Sequence, residues 1–294
     1  MKFSVFTAST PEWSPEEAAS ALAAQGWDGI EWRITDQAES ETPGFWAGNK
    51  ATWPLAGLEG NLERIAAVTG RAGLEFSGIG GYARCDNHDD VERMLAATAA
   101  LGARQVRVTT LPLGTAAWGA EAPSGRPYPE LFAAARKDFE WVAGRAAHHG
   151  VKALVELHHR TITASASSAL RLLEGLDPQH VGVIHDLGNL VIEGWEDPLP
   201  AFELLGDYLA HVHVKNAAWV RQDAPDASGA AVYDTQWVPL REGQGSVLEY
   251  FRALAAFGYD GWVTVEDFST ALPLAERTAD NLDYLRKTAA LAAL

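Results

Sequence analysis

Residues 152–186 read KALVELHHRTITASASSALRLLEGLDPQHVGVIHD, and three patterns follow one another in them. KALVEL (152–157) and HVGVIHD (180–186) are short runs rich in valine, leucine and isoleucine, the composition of strands buried on both faces. Between them ASASSALRLLEGL (164–176) has the length and apolar spacing of a helix. Strand, helix, strand in that order makes a parallel pair with a right-handed crossover.

The same unit repeats in both directions along the chain. Further strands are expected at KFSVFT (2–7), DGIEWRI (28–34), LEFSGI (74–79), RQVRVT (104–109), LAHVHVK (209–215) and GWVTVED (261–267), which brings the number to eight. Helices are expected at 14–25, 58–72, 88–101, 129–149, 164–176, 197–205, 246–257 and 272–294. Ser14, Pro15 and Glu17 supply a helix start, and glycines at 26, 73, 102, 150 and 258 stand where helices should stop. Eight such units in 294 residues predict a single-domain (β/α)8 barrel, an α/β fold, spanning 1–294. An open doubly wound sheet would have about six strands and a glycine-rich first turn. No GxGxxG or GxxxxGK[ST] follows any strand, so nothing supports a nucleotide cofactor.

Composition narrows the partners. A formal net charge of -16 repels a phosphate backbone, and no basic cluster overrides it, so nucleic acid is not expected. The one cysteine, Cys85, can form no internal disulfide and fits a reducing compartment. No stretch approaches the roughly 18 apolar residues of a membrane span, and the N-terminus lacks the pattern of a secretory signal. A cytoplasmic protein that does not bind membranes is the expectation, with assembly into a homo-oligomer left open.

Chemistry enters where ionisable residues interrupt the apolar runs. Glu156, Asp186, His213 and Glu266 stand at or near the carboxyl ends of strands five to eight. One such carboxylate is more often a solvated rim residue. Four potential ligands at one height on neighbouring strands roughly 4.8 Å apart can converge on one ion. Three buried carboxylates without a counter-charge would carry a heavy electrostatic cost. Oxygen-rich donors with one imidazole suit a divalent metal, Mn2+ first, with Mg2+, Co2+, Zn2+ or Fe2+ able to compete. Active sites of such barrels lie at this end. Long loops with tryptophans follow strand two (Trp46, Trp53), strand four (Trp118) and strand seven (Trp219, Trp237), and flat rings suit a small carbohydrate ligand.

The motifs VELHHRT, VIHDLGN, HVHVKN, REGQGSV and FGYDGWVTVED, in that order, resemble the sugar isomerase/epimerase superfamily with the xylose-isomerase-like TIM barrel. The likeness is strongest from Val151 to Phe268. It implies metal ligands at Glu156, Asp186, His213 and Glu266, the set the strand ends select. It also implies that Glu156 and Glu266 act as an acid/base pair on either face of a bound sugar, with the metal favouring loss of a proton next to a carbonyl by stabilising an enediolate. A metal-dependent isomerase or epimerase of a small sugar, polyol or keto-sugar is therefore expected. A lyase on the same site, dehydrating a keto-inositol or dehydroshikimate or eliminating from a keto-glycoside, is the alternative. One position departs from the ketose 3-epimerase pattern: Asn189 stands where a substrate-binding histidine is common, and an amide can bind a hydroxyl but not move a proton.

Further substrate contacts are expected from residues of matching parity. His158 follows Glu156 by two, Lys215 follows His213 outward to the rim, and Glu31 shares a face with Arg33 on strand two. Arg241 in REGQG is a candidate for an anionic group at the barrel mouth. His211, one pleat deeper than His213, is expected behind it, and His185 is expected to face the helices. Damaged-DNA endonucleases use a related barrel, but they would need more histidine ligands and a basic rim. A sugar-binding subunit without activity is disfavoured by the complete ligand set.

Overall fold

All eight expected strands form, and they close on themselves. The computed structural model describes residues 1–113 and 126–293. Its strands are β1 (Lys2–Phe6), β2 (Gly29–Ile34), β3 (Glu75–Gly81), β4 (Gln105–Arg107), β5 (Lys152–Glu156), β6 (Val181–Asp186), β7 (Leu209–Val214), β8 (Asn216–Arg221), β9 (Tyr233–Val238) and β10 (Trp262–Val265). The closed barrel runs β1-β2-β3-β4-β5-β6-β7-β10 and back to β1, every pair parallel. The chain therefore folds as a (β/α)8 barrel.

The helices between the strands are α1 (Pro15–Gln25), α2 (Leu62–Ala72), α3 (His88–Ala100), α4 (Tyr128–His149), α5 (Ala166–Leu173), α6 (Leu187–Glu193), α7 (Pro198–Leu205), α8 (Val247–Phe257) and α9 (Leu274–Ala292). Ser14 caps α1 in a reciprocal box with Glu17, and Ser165 and Ser246 cap α5 and α8. Gly26 and Gly150 end α1 and α4 in the left-handed region, as their places in the sequence predict. Among the described residues no helix is long and apolar enough to cross a membrane.

Two elements were not expected. β8 and β9 form an antiparallel hairpin inside the long connection after β7. α6 starts directly at Asp186, whose side chain accepts from the Asn189 N–H. The opening LGN, with glycine and asparagine in its first turn, hides a short helix that starts on this cap. The expected loop around Trp118 lies outside the described residues.

Side-chain parity divides the interior. Val155, Val183, Val212, Val214, Val263 and Val265 point outward into the apolar layer beneath the helices. His185 points the same way, as expected, and meets Tyr250 Oη at 2.7 Å. The alternate residues face the barrel axis, and there Ser4, Glu31, Arg107, Glu156, Asp186, His211, His213, Thr264 and Glu266 are all buried.

Candidate metal centre

Register sets the convergence. Asp186 on β6 lies directly opposite His213 on β7, and His213 lies opposite Thr264 on β10, with Glu266 two residues beyond. Glu156 ends β5 next in order. Glu156, Asp186, His213 and Glu266 each offer a ligand atom, and these atoms all lie within 4.8 Å of one another. The four residues singled out in the sequence are thus brought together, fully or almost fully buried.

His213 is oriented from below. Glu31 accepts from its Nε2 at 3.1 Å and from His211 Nε2 at 2.9 Å. This fixes the proton of His213 on Nε2 and turns Nδ1 toward the carboxylates, 3.6 Å from Glu156 and 3.9 Å from Asp186. Those separations are too long for hydrogen bonds, and Nδ1 is buried without a partner among the described residues. Carboxylate, imidazole, ion is a common second-layer arrangement in metal sites. Burial opposes a charge on His213, but Glu31 and the neighbouring carboxylates outweigh it and hold its pKa well above the ordinary histidine range.

The Lys215 ammonium stands among the carboxylates. It lies 2.5 Å from Asp186 and 3.7 Å from Glu156, and it also contacts Glu266. It is buried at the cluster and not at the lip where the sequence reading put it, because its stem runs inward past α6. A Cβ on Gly188 would come within 2.4 Å of Lys215 Cγ, so the glycine of HDLGN makes that path possible. Lys215 and the Arg107 guanidinium beside Glu156 are the fixed cations that face the three carboxylates. Burial pushes Asp186 up to about 7, Lys215 pulls it down, and Glu156 and Glu266 add to the rise. Glu156 is held well below the carboxylate range: Arg107 and then Lys215 overcome the effect of burial. A buried imidazole nitrogen without a partner, three convergent carboxylates and a cation standing among them fit a divalent metal.

Several expected contacts fall elsewhere. Glu31 lies beneath the cluster as a brace and not against the cavity. Asn189 is used up: its amide donates to Glu156 at 3.1 Å and to Leu157 O, and its oxygen meets His159 Nδ1. Arg241 pairs with Asp280 at 2.9 Å and lies over the Tyr284 ring, away from the cavity. His158 does line the cavity. Arg107, which the sequence reading passed over, holds Glu156 Oε2 at 2.5 Å. An arginine inside the apolar run RQVRVT carries the same signal as the carboxylates did.

A cavity of about 740 Å3 opens above the cluster, and Lys215, Glu266 and His158 reach it. Trp46 and Trp237 form walls on either side of Phe268, with ring centroids 4.8 and 5.9 Å away. Trp53 packs instead on Trp32, and Trp219 donates to Val191 O.

The family model of the xylose isomerase-like TIM barrel matches residues 19–288. An inosose dehydratase of Lacticaseibacillus casei is 30% identical over 134 residues, 43% of this chain and 44% of that enzyme. The chain spans about half the length of the curated relatives it matches. Among solved structures, a 3-keto-D-glucoside 4-epimerase from E. coli superposes with a TM-score of 0.70 at 20% identity, covering 98% of this chain and 99% of that one. A xylose isomerase-like TIM barrel protein from Mycobacterium smegmatis, in complex with magnesium, gives 0.68 at 19% identity, covering 100% and 98%. At these identities the structural matches bear on the fold.

Proposed function

This chain belongs to the xylose isomerase-like TIM barrel family, and on that footing we propose that it is a divalent-metal-dependent isomerase or epimerase of a small sugar, polyol or keto-sugar. The observation that carries this reading is the convergence of Glu156, Asp186, His213 and Glu266 within 4.8 Å, with His213 Nδ1 left open toward it. These four would hold the ion, Mn2+ or Mg2+ by donor type. When bound, the ion supplies charge that makes a C–H next to a carbonyl more acidic.

The chain's own groups move the proton. In barrel order Glu266, His213, Asp186 and Glu156 form an arc, with the two glutamates at its ends. A ligand seated against the arc has one carboxylate toward each side. One takes the proton from carbon, and the other, protonated, returns one to the opposite face or to the neighbouring oxygen. Arg107 and Asn189 hold Glu156 in place for this. His158 and the aromatic walls enclose the reacting carbons and limit water.

The likeness to inosose dehydratases favours a second outcome of the same first step, loss of water from a cyclic keto-polyol. The outcomes differ only in whether a hydroxyl stands β to the carbon that loses its proton. The test is metal analysis followed by NMR in D2O with ketoses, keto-inositols and 3-keto-glycosides. Deuterium at the carbon next to the carbonyl is expected, and Glu156→Gln and Glu266→Gln should each abolish it. Full exchange rates in both variants would overturn the acid/base assignment.

A further inference from the structure

Arg33 is a buried arginine with one hydrogen-bonding edge unused among the described residues. It lies on β2, only 4% exposed, and lines the cavity. Its Nη1 reaches Gln37 and Phe45 O at 3.2 Å and Thr52 at 3.1 Å, which fixes the guanidinium from one side. Nε is buried with no hydrogen-bond partner, and Nη2 makes no hydrogen bond to the described residues. The Nε–H and the adjacent Nη2–H point the same way and form the side-on fork that matches a carboxylate.

Where both donors of that edge are used together on one side chain among the described residues, the acceptor is a carboxylate. Arg64 uses Nε and Nη2 on Glu16, at 3.0 and 2.9 Å, and Arg145 uses the same pair on Glu92, at 2.7 and 2.6 Å. Arg84 holds Asp86 the same way. At Arg33 no carboxylate of the described residues fills the fork. Asp36, which also lines the cavity, accepts from Ala56 N. The rings of Tyr82 and Trp46, 5.1 and 5.9 Å from the guanidinium carbon, give its charge apolar cover but no acceptor.

Charge balance points the same way. Among the described residues the buried charges around the axis are Glu31, Glu156, Asp186 and Glu266 against Arg33, Arg107 and Lys215. With a divalent ion bound and His213 neutral as its ligand, four negative charges face five positive ones. One negative charge is missing, and the unpaired Nε–Nη2 edge marks where it would sit.

We propose that Arg33 binds a carboxylate of the substrate, so that the cavity takes a keto-sugar acid in preference to a neutral keto-sugar. This rests on the function proposed above for the carbonyl end of the ligand. The test uses the Mn2+-loaded protein and calorimetric Kd values for D-fructose, D-fructuronate, which is the same skeleton ending in a carboxylate, and D-fructose 6-phosphate. Wild type is expected to hold fructuronate at least about tenfold tighter than fructose. Arg33→Gln should erase that preference while leaving the Kd for Mn2+ unchanged, which also reports an intact barrel. Arg33→Lys, which keeps the charge but loses the fork, should restore only part of it. Fructuronate binding no tighter than fructose, including no binding at all, overturns the proposal, as does a preference that survives Arg33→Gln. Tighter binding of fructose 6-phosphate overturns the carboxylate assignment. The Mn2+ titration separates the two readings: failure to bind Mn2+ sinks the metal enzyme, whereas normal Mn2+ binding without a carboxylate preference sinks the role of Arg33 alone.

Discussion

Two polar layers are stacked inside the barrel. The lower contains Gln105, His211, Glu31, Thr264 and Ser4, and the upper contains Glu156, Asp186, His213 and Glu266. Both draw on histidine and acidic side chains, and apart from the half-buried Gln105 both are fully buried. The difference is completeness. Below, His211 has Gln105 on Nδ1 at 2.8 Å and Glu31 and Thr264 on Nε2, and Thr264 meets Ser4 at 2.6 Å. Above, one imidazole nitrogen has no partner, and three carboxylates share one ammonium. A satisfied polar network holds a shape, whereas an unsatisfied one is costly unless something fills it. Burial of a histidine on the axis therefore says little about its role until the partners of both nitrogens are counted.

Three experiments press on this contrast, beginning with the largest effect. In metal-free protein, Lys215→Met leaves three carboxylates facing each other and should cost about 3–5 kcal/mol in urea unfolding, with most of the loss restored by saturating Mn2+. Equal loss with and without Mn2+ would mean that the upper layer does not take an ion. Next, His213→Gln should weaken Mn2+ binding more than about 100-fold, and His211→Gln only about 10-fold, since the second acts through Glu31. The reverse order in calorimetry would break the distinction between the layers.

The smallest effect is expected outside the axis. His185 is buried against Tyr250, and burial lowers its pKa to about 3. Its folded pKa is depressed, so the unfolded chain binds the extra proton first. Stability from the neutral ring is complete above about 6.5 and lost as pH falls toward about 3. Between pH 7 and pH 5.5 this amounts to about 1 kcal/mol. His185→Phe should flatten that limb of the urea-unfolding profile while leaving Mn2+ affinity unchanged.

The barrel was legible because short strand-forming runs alternate with helices, several of them marked by a capping serine or a terminal glycine, and these are local signals. The eight strands follow from the apolar runs, and the convergence of Glu156, Asp186, His213 and Glu266 from their places at or near the strand ends. The sequence misled where position depends on what a side chain leans on. Lys215 shares the axis-facing parity of His213 and was expected at the rim, yet Gly188 lets its stem turn in toward the carboxylates. Asn189 sits one turn past Asp186, but α6 directs its amide at Glu156, and that helix begins on a cap made by the cluster itself. Arg241 follows the hairpin, and Asp280 from α9, remote in sequence, draws it outward. Glu31 was placed on the right face but one layer too high, because a period of two gives the face and not the depth.

The hairpin that follows Lys215 offers a route to engineering. Asn216 clamps its base, donating to Leu240 O at 2.7 Å and Gly245 O at 2.8 Å. Its tip, where Asp226 accepts from Ser228 and Ala230, is fully exposed. Foreign sequence grafted between Asp226 and Gly229 would lengthen only that tip, since the clamp keeps the insertion from shifting the register of β7. A fluorophore or affinity tag placed there could follow ligand entry past Trp237 without disturbing the residues it reports on.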